Sequence, residues 1–318
     1  QPLTLGSDPS LTHHVLPNLS LFRLRQHQFS TPSNIFTTNS QVQIITDPGD
    51  DGELQQIPFV ALEAEMLIKS LPEPSEIGIV SPTRSMTFDN QFPEHKTPLA
   101  LLHISCHGER QVDGLTKLLL SKHEISAINL WKIKAENEIN LTLINACTGG
   151  VVFDNREGDP QGLVVPLLAR SKNVITTLLP VNDIVATVFS ALFYHNLNSN
   201  LTVEQSFLNT KQLIITGDIP EEIIDTMVVV MRPIFELAKL GRNLLMSELN
   251  SFEATEDTYL LHCLAAIVPD VQEAVKISSQ KGILLAEYLE TEFRERMRLT
   301  NMPRVVREIA MAGYQLYG

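Results

Sequence analysis

Between residues 42 and 215, short runs of branched apolar side chains alternate with stretches of helical spacing. This alternation constrains the fold more than any other feature. Strand, helix and strand in succession pack as a largely parallel sheet with helices on its faces. The runs "VQIIT" (42–46), "EIGIV" (76–80), "LALLHIS" (99–105), "LTKLLLS" (115–121), "INLTLINA" (139–146) and "NVITTLL" (173–179) read as strands. The stretches 59–71, 124–133, 162–171, 183–199 and 202–215 read as helices, with Asp183 as an N-cap candidate. Residues 1–40, rich in Ser, Thr, Asn, His and Pro, read as loops and short extended pieces. After about 216 the texture changes to helical patterns over 220–250, 256–268, 270–298 and 302–317, with no convincing strand. The expected organisation is an α/β domain over 1–216, followed by a helical region over 217–318 that packs on it or belongs to a further domain.

Two of the strands share a further trait. "LLHISCHGER" (101–110) and "LTLINACTGG" (141–150) each end in a reactive residue, His107 or Cys147, with glycine at once or soon after. In open α/β sheets, reactive groups collect beyond the carboxyl ends of strands, so the two meet if their strands are neighbours. An imidazole can take a thiol's proton and later return it to a leaving amine. The oxyanion formed in between needs backbone N–H donors. Gly108 lets the backbone approach a substrate closely, and the N–H groups of Gly108 and Cys147 are the candidate donors. A zinc site is the competing reading, from His103, Cys106, His107 and Cys147. Their spacing fits no usual zinc pattern, so neither a metal nor any other cofactor is expected. Cys106 and Cys263 read as packed core thiols.

Charge and cysteine usage narrow the setting. A net charge of −13 repels phosphate backbones, so no nucleic-acid contact is expected. Three cysteines in 318 residues argue against a disulfide framework and for a reducing, cytoplasmic location. No apolar run reaches transmembrane length, so no membrane contact is expected. The first residue is Gln1 rather than Met, which suggests a chain cut from a longer protein or processed.

The order "LLHISCHGE", "LLLS", "LTLINAC", "GLVVPLLARSKNVITTLLPVND" and "FYHNL" resembles the CHAT domain, a caspase-like, separase-related peptidase group. The earlier "IITDPGDDGELQQIPFVALEAEMLIKSL" looks like that family's acidic loop and Glu-containing helix. The resemblance covers about residues 1–215 and implies a caspase-like, mostly parallel sheet sandwiched by helices; the all-helical C-terminal region read from its own pattern lies outside it. It also implies a cysteine endopeptidase acting on protein substrates, with His107 as general acid/base and Cys147 as nucleophile. Asn145, two residues before Cys147, and Asp183, in "PVND", are the implied substrate-pocket residues, and the acid at 183 leans towards a basic residue before the cut. The loop 151–161 carries Asp154, Glu157 and Asp159 near the nucleophile. An activating or inhibitory protein partner, or a fused sensor region, is expected, in regulated proteolysis of bacterial-defence or cell-death type. A catalytically unused scaffold that binds a protein partner is the alternative. One departure stands out: the aromatic-rich strand that usually closes such domains is not evident.

Overall fold

The computed structural model describes residues 35–36, 41–47, 57–71, 76–80, 98–120, 123–132, 139–154, 160–240, 256–268 and 270–317. Its centre is a six-stranded sheet built from β1 (Gln41–Thr46), β2 (Glu76–Val80), β3 (Leu99–Ser105), β7 (Ile139–Asn145), β10 (Ser171–Thr177) and β11 (Tyr314–Tyr317). In space the order is β11-β10-β7-β3-β1-β2. All neighbours run parallel except β11, which is antiparallel to β10. The fold is α/β, as the alternation predicts.

Side chains on successive strand residues point to opposite faces, and this splits the interior into two apolar clusters. Val42, Ile44, Leu101, Leu141, Leu143 and Ile175 face the larger one. It is closed by α1 (Val60–Ser70), α4 (Asp183–Asn198), α5 (Val203–Thr216) and the helices that follow. Ile45, Leu102, Ile104, Ile144 and Val174 face the smaller one. That cluster is covered by α2 (Ala127–Trp131), α3 (Val164–Leu168) and a small antiparallel sheet of β4 (His107–Arg110), β5 (Thr116–Leu120) and β6 (His123–Ile125). The run 115–121 thus forms a strand outside the main sheet, as do the short antiparallel partners β8 (Phe153–Asp154) and β9 (Pro160–Gln161). The helix expected over 124–133 is shorter, because His123–Ile125 pairs with β5 first.

The C-terminal region is helical, with α6 (Glu221–Leu240), α7 (Glu256–Ile267), α8 (Val271–Lys281), α9 (Leu285–Met297) and α10 (Arg304–Gly313). The single pattern over 270–298 breaks into α8 and α9 because Gly282 takes a left-handed conformation, φ 67°, and caps α8. α6 and α7 pack on α1, and α10 packs on α5, so the helical region shares the larger cluster with the sheet. The helical pattern over 302–317 holds only to Gly313. Tyr314–Tyr317 turns into β11, so an aromatic-rich strand does close the sheet. Among the described residues, no helix is long and apolar enough to cross a membrane.

One buried charge ties these parts together. Lys211 on α5 is 5% exposed and donates from Nζ to the Tyr314 carbonyl at 3.1 Å. Burial pushes its pKa down from 10.5 to about 8. The charged form is disfavoured in the folded state, so the unfolded chain binds more protons between those values. Stability therefore rises as pH climbs from about 8 to 10.5, and at neutral pH the full cost, up to about 3 kcal/mol, is present. Lys211→Met is expected to raise stability near pH 7 by ~1–3 kcal/mol, after losing one hydrogen bond, and to flatten this alkaline rise. Urea midpoints measured across that range would show it; parallel pH curves for the two proteins would sink it.

Candidate active site

β3 and β7 are adjacent and in register, with Ser105 opposite Asn145. Each strand ends there, so His107 and Cys147 both follow two residues past the same rung. At this point β3 does not continue. The Cys106 N–H donates to the Asn145 carbonyl at 3.2 Å, and His107 then opens β4, opposite Leu119 of β5. Gly108 lies against the backbone of Cys147. A side chain there would stand 2.1 Å from the Cys147 carbonyl oxygen, so only glycine fits.

The turn after Cys147 is held on several sides. Thr148 has φ 57°, an uncommon conformation for a β-branched residue. Thr116 of β5 steadies it by donating its hydroxyl to the Thr148 carbonyl at 2.8 Å. The Ala146 carbonyl accepts from the Thr177 hydroxyl at 2.5 Å and from the Gly149 N–H at 3.2 Å. The Gly150 N–H donates to the Thr177 carbonyl at 2.8 Å.

His107 and Cys147 open onto one cavity of about 260 Å³ at the carboxyl ends of the strands. Its apolar walls come from Ile57, Val60, Val181 and Ala186, and its acidic groups are Glu63 and Asp183. Of the three thiols, Cys147 alone is not buried. Burial, with Asp47 nearby, pushes the Cys106 thiol well up, and burial likewise raises that of Cys263. Both are unreactive core thiols on physical grounds.

Below the cavity lies a polar cluster that the sequence reading missed. Glu63 on α1 is 1% exposed. It accepts from the Ser105 hydroxyl at 2.8 Å, the Ser190 hydroxyl at 2.6 Å and the Asn145 amide. His103 Nε2 lies 3.2 Å from its Oε1, and His103 Nδ1 meets the Tyr194 hydroxyl at 2.7 Å. Burial, the largest single effect, would raise the Glu63 pKa. His103 and the Ser190 and Ser105 hydroxyls together outweigh it, so the carboxyl is held below its ordinary value and stays ionised at neutral pH. A signal for this existed: Glu63 sits on the apolar stripe of α1, between Val60 and Leu67, where a charge needs a partner.

Asn145 lines the cavity, yet its side chain is engaged below it. Besides Glu63, its amide donates to the Ser190 hydroxyl at 2.9 Å, and its Oδ1 accepts from the Tyr314 hydroxyl at 2.9 Å. Asp183 lines the cavity from the first residue of α4 and is half-buried, which raises its pKa. It is not the N-cap. Asn182 takes that position, accepting from the Ile184 and Val185 N–H groups. His103 points into the larger core towards Tyr194, away from any shared set with His107. Among the described residues, no group of three or more His, Cys, Asp or Glu side chains could hold a metal ion. Of the acidic loop 151–161, Glu157 and Asp159 lie outside the described residues.

A sequence profile of the CHAT domain matches residues 10–259. The chain belongs to the CHAT domain family. CHAT domains are a caspase-like, protease-related group, which agrees with the parallel sheet and with a thiol and an imidazole beyond neighbouring strands. The match runs past 216 through α6, so the family assignment takes in the first part of the helical region. Comparison with curated proteins gives no match. In this CHAT domain, the rung Ser105–Asn145 brings His107, Gly108 and Cys147 together, and Asp183 reaches the same cavity from α4.

Proposed function

We propose that this chain is a cysteine endopeptidase in which Cys147 attacks the scissile carbonyl of a protein substrate. His107 takes the thiol proton as the sulfur–carbon bond forms and returns it to the leaving amine. Water then hydrolyses the thioester with His107 as base. The N–H groups of Gly108 and Cys147 are the oxyanion donors in this reading. The observation that carries it is the contact of Gly108 with the Cys147 backbone, which delivers a thiol and an imidazole to one cavity.

The cavity also supports a preference for lysine or arginine before the cut. Its apolar walls suit an aliphatic stem, and Asp183 is a partly desolvated acid that a cation would compensate. Asn145 contributes shape rather than charge. Control by a protein partner or a sensor region, of the defence or cell-death type, belongs to the same reading, because an open thiol protease needs a switch. Full-rate cutting by the isolated chain would remove that part.

The test is cleavage of a diverse peptide library, with Cys147→Ala and His107→Ala as controls and site-resolved alkylation of the three thiols. Cuts that vanish in both variants are expected, after a basic residue. Asp183→Asn should lower that preference about ten- to a hundredfold, the worth of one charge-assisted hydrogen bond. No cleavage, together with a Cys147 that alkylates no faster than an ordinary thiol, would leave the partner-binding scaffold as the reading.

A further inference from the structure

β11 lies at the edge of the sheet and pairs with β10, not with β7. Yet two of its side chains reach past β10 to either side of Cys147, one to the end of β7 and one to the turn that follows the thiol. Tyr314 donates to Asn145 Oδ1 at 2.9 Å, two residues before Cys147. Tyr317 donates to the Gly150 carbonyl at 3.0 Å, three residues after it. The two hydroxyls arrive from opposite faces of the sheet. Tyr314 lies in the larger apolar cluster, stacked on Phe189 with ring centres 3.9 Å apart. Tyr317 lies in the smaller one. Burial raises the pKa of both, so both remain donors across the physiological range. Tyr314 also meets the buried polar cluster, since its acceptor Asn145 donates to Glu63 and Ser190.

A strand that only closed a core would have no need of polar atoms aimed at these two places. Leu316 fills the larger cluster without one. We propose that Tyr314 and Tyr317 are positioning residues: β11 grips the Cys147 turn from both faces and holds the thiol in its reactive setting. This rests on Cys147 being the nucleophile. It gives the helical region a role in the chemistry, because α10 runs directly into β11 and sets where the two tyrosines lie.

The test is the alkylation rate of Cys147 by iodoacetamide as a function of pH, read by mass spectrometry on the whole chain. Tyr314→Phe and Tyr317→Phe remove one oxygen each and keep the rings packed. The double variant is expected to lower the Cys147 rate about tenfold, the equivalent of roughly one net hydrogen bond, and to move the midpoint of its pH profile. Tyr288→Phe on α9, outside the site, should leave rate and midpoint unchanged even if it lowers the melting temperature. A folded double variant with wild-type rate and midpoint overturns the proposal and leaves the nucleophile reading intact. If wild-type Cys147 reacts no faster than a free cysteine, the nucleophile reading fails first and the proposal with it. Should Tyr314→Phe not fold, Tyr317→Phe alone decides by the same readout.

Discussion

Glu63→Ala is expected to destabilise the fold by about 3–5 kcal/mol, the range for breaking a buried charge pair from one side. The reason is the number of groups left behind. Ser105, Ser190, Asn145 and His103 all turn towards this buried carboxylate at the floor of the cavity. Glu63→Gln should cost less, ~1–3 kcal/mol, because the amide oxygen can still accept from Ser190 and Asn145 on one side while its N–H group donates to the Ser105 hydroxyl on the other. The pH dependence has a definite sign. The folded-state pKa lies below the ordinary 4.5, so the stabilisation from ionised Glu63 is complete above that value. It is lost as pH falls through the folded-state pKa. The gap between wild type and Glu63→Gln in urea midpoint should therefore narrow in acid. A gap independent of pH would mean that Glu63 titrates alike in the folded and unfolded chains, and a wild type that gains stability as pH falls would mean that Glu63 is neutral in the fold.

Gly108→Ala is expected to reduce Cys147 reactivity about a hundredfold, the usual consequence of moving a reacting group by an ångström. The added carbon would stand 2.1 Å from the Cys147 carbonyl oxygen, against 3.4–4 Å for ordinary contact. The oxygen belongs to the backbone and the added carbon is fixed directly to the backbone of residue 108, so no side chain can swing aside. Either β4 or the turn after β7 must shift, at an overpacking cost of ~1–3 kcal/mol. Alkylation kinetics beside a melting curve separate the two effects. A folded Gly108→Ala protein with unchanged Cys147 kinetics would show that the close approach of the two segments has nothing to do with the chemistry.

The parallel sheet and the two strand ends were legible because their signals are local. Apolar runs of five to eight residues, separated by helical spacing, state their own periodicity, and His107 and Cys147 stand at the edges of such runs. What was illegible depends on partners far along the chain. "YQLY" continues an amphipathic helical pattern and becomes a strand only because β10 offers it an open edge. "LTKLLLS" carries no mark that distinguishes the main sheet from the small one beside it. At the start of α4, Asn182 and Asp183 are both competent caps, and it is Asn182 that has the extended backbone of a cap, φ −71° and ψ 135°. Glu63 was readable in principle, as a charge on an apolar stripe, but its partners lie on β3, β7 and α4, and only their convergence gives it a purpose.

The link between β11 and the Cys147 turn also has a timing. Gly150 and Tyr317 are 167 positions apart, and the helices α6 to α10 all lie between them. At roughly 5–20 residues per second, a ribosome needs ~10–30 s to add that stretch. During this interval the thiol-bearing segment already exists, yet neither tyrosine has been made. The nascent chain therefore carries Cys147 through much of synthesis before either tyrosine of β11 can bond to the residues that flank it.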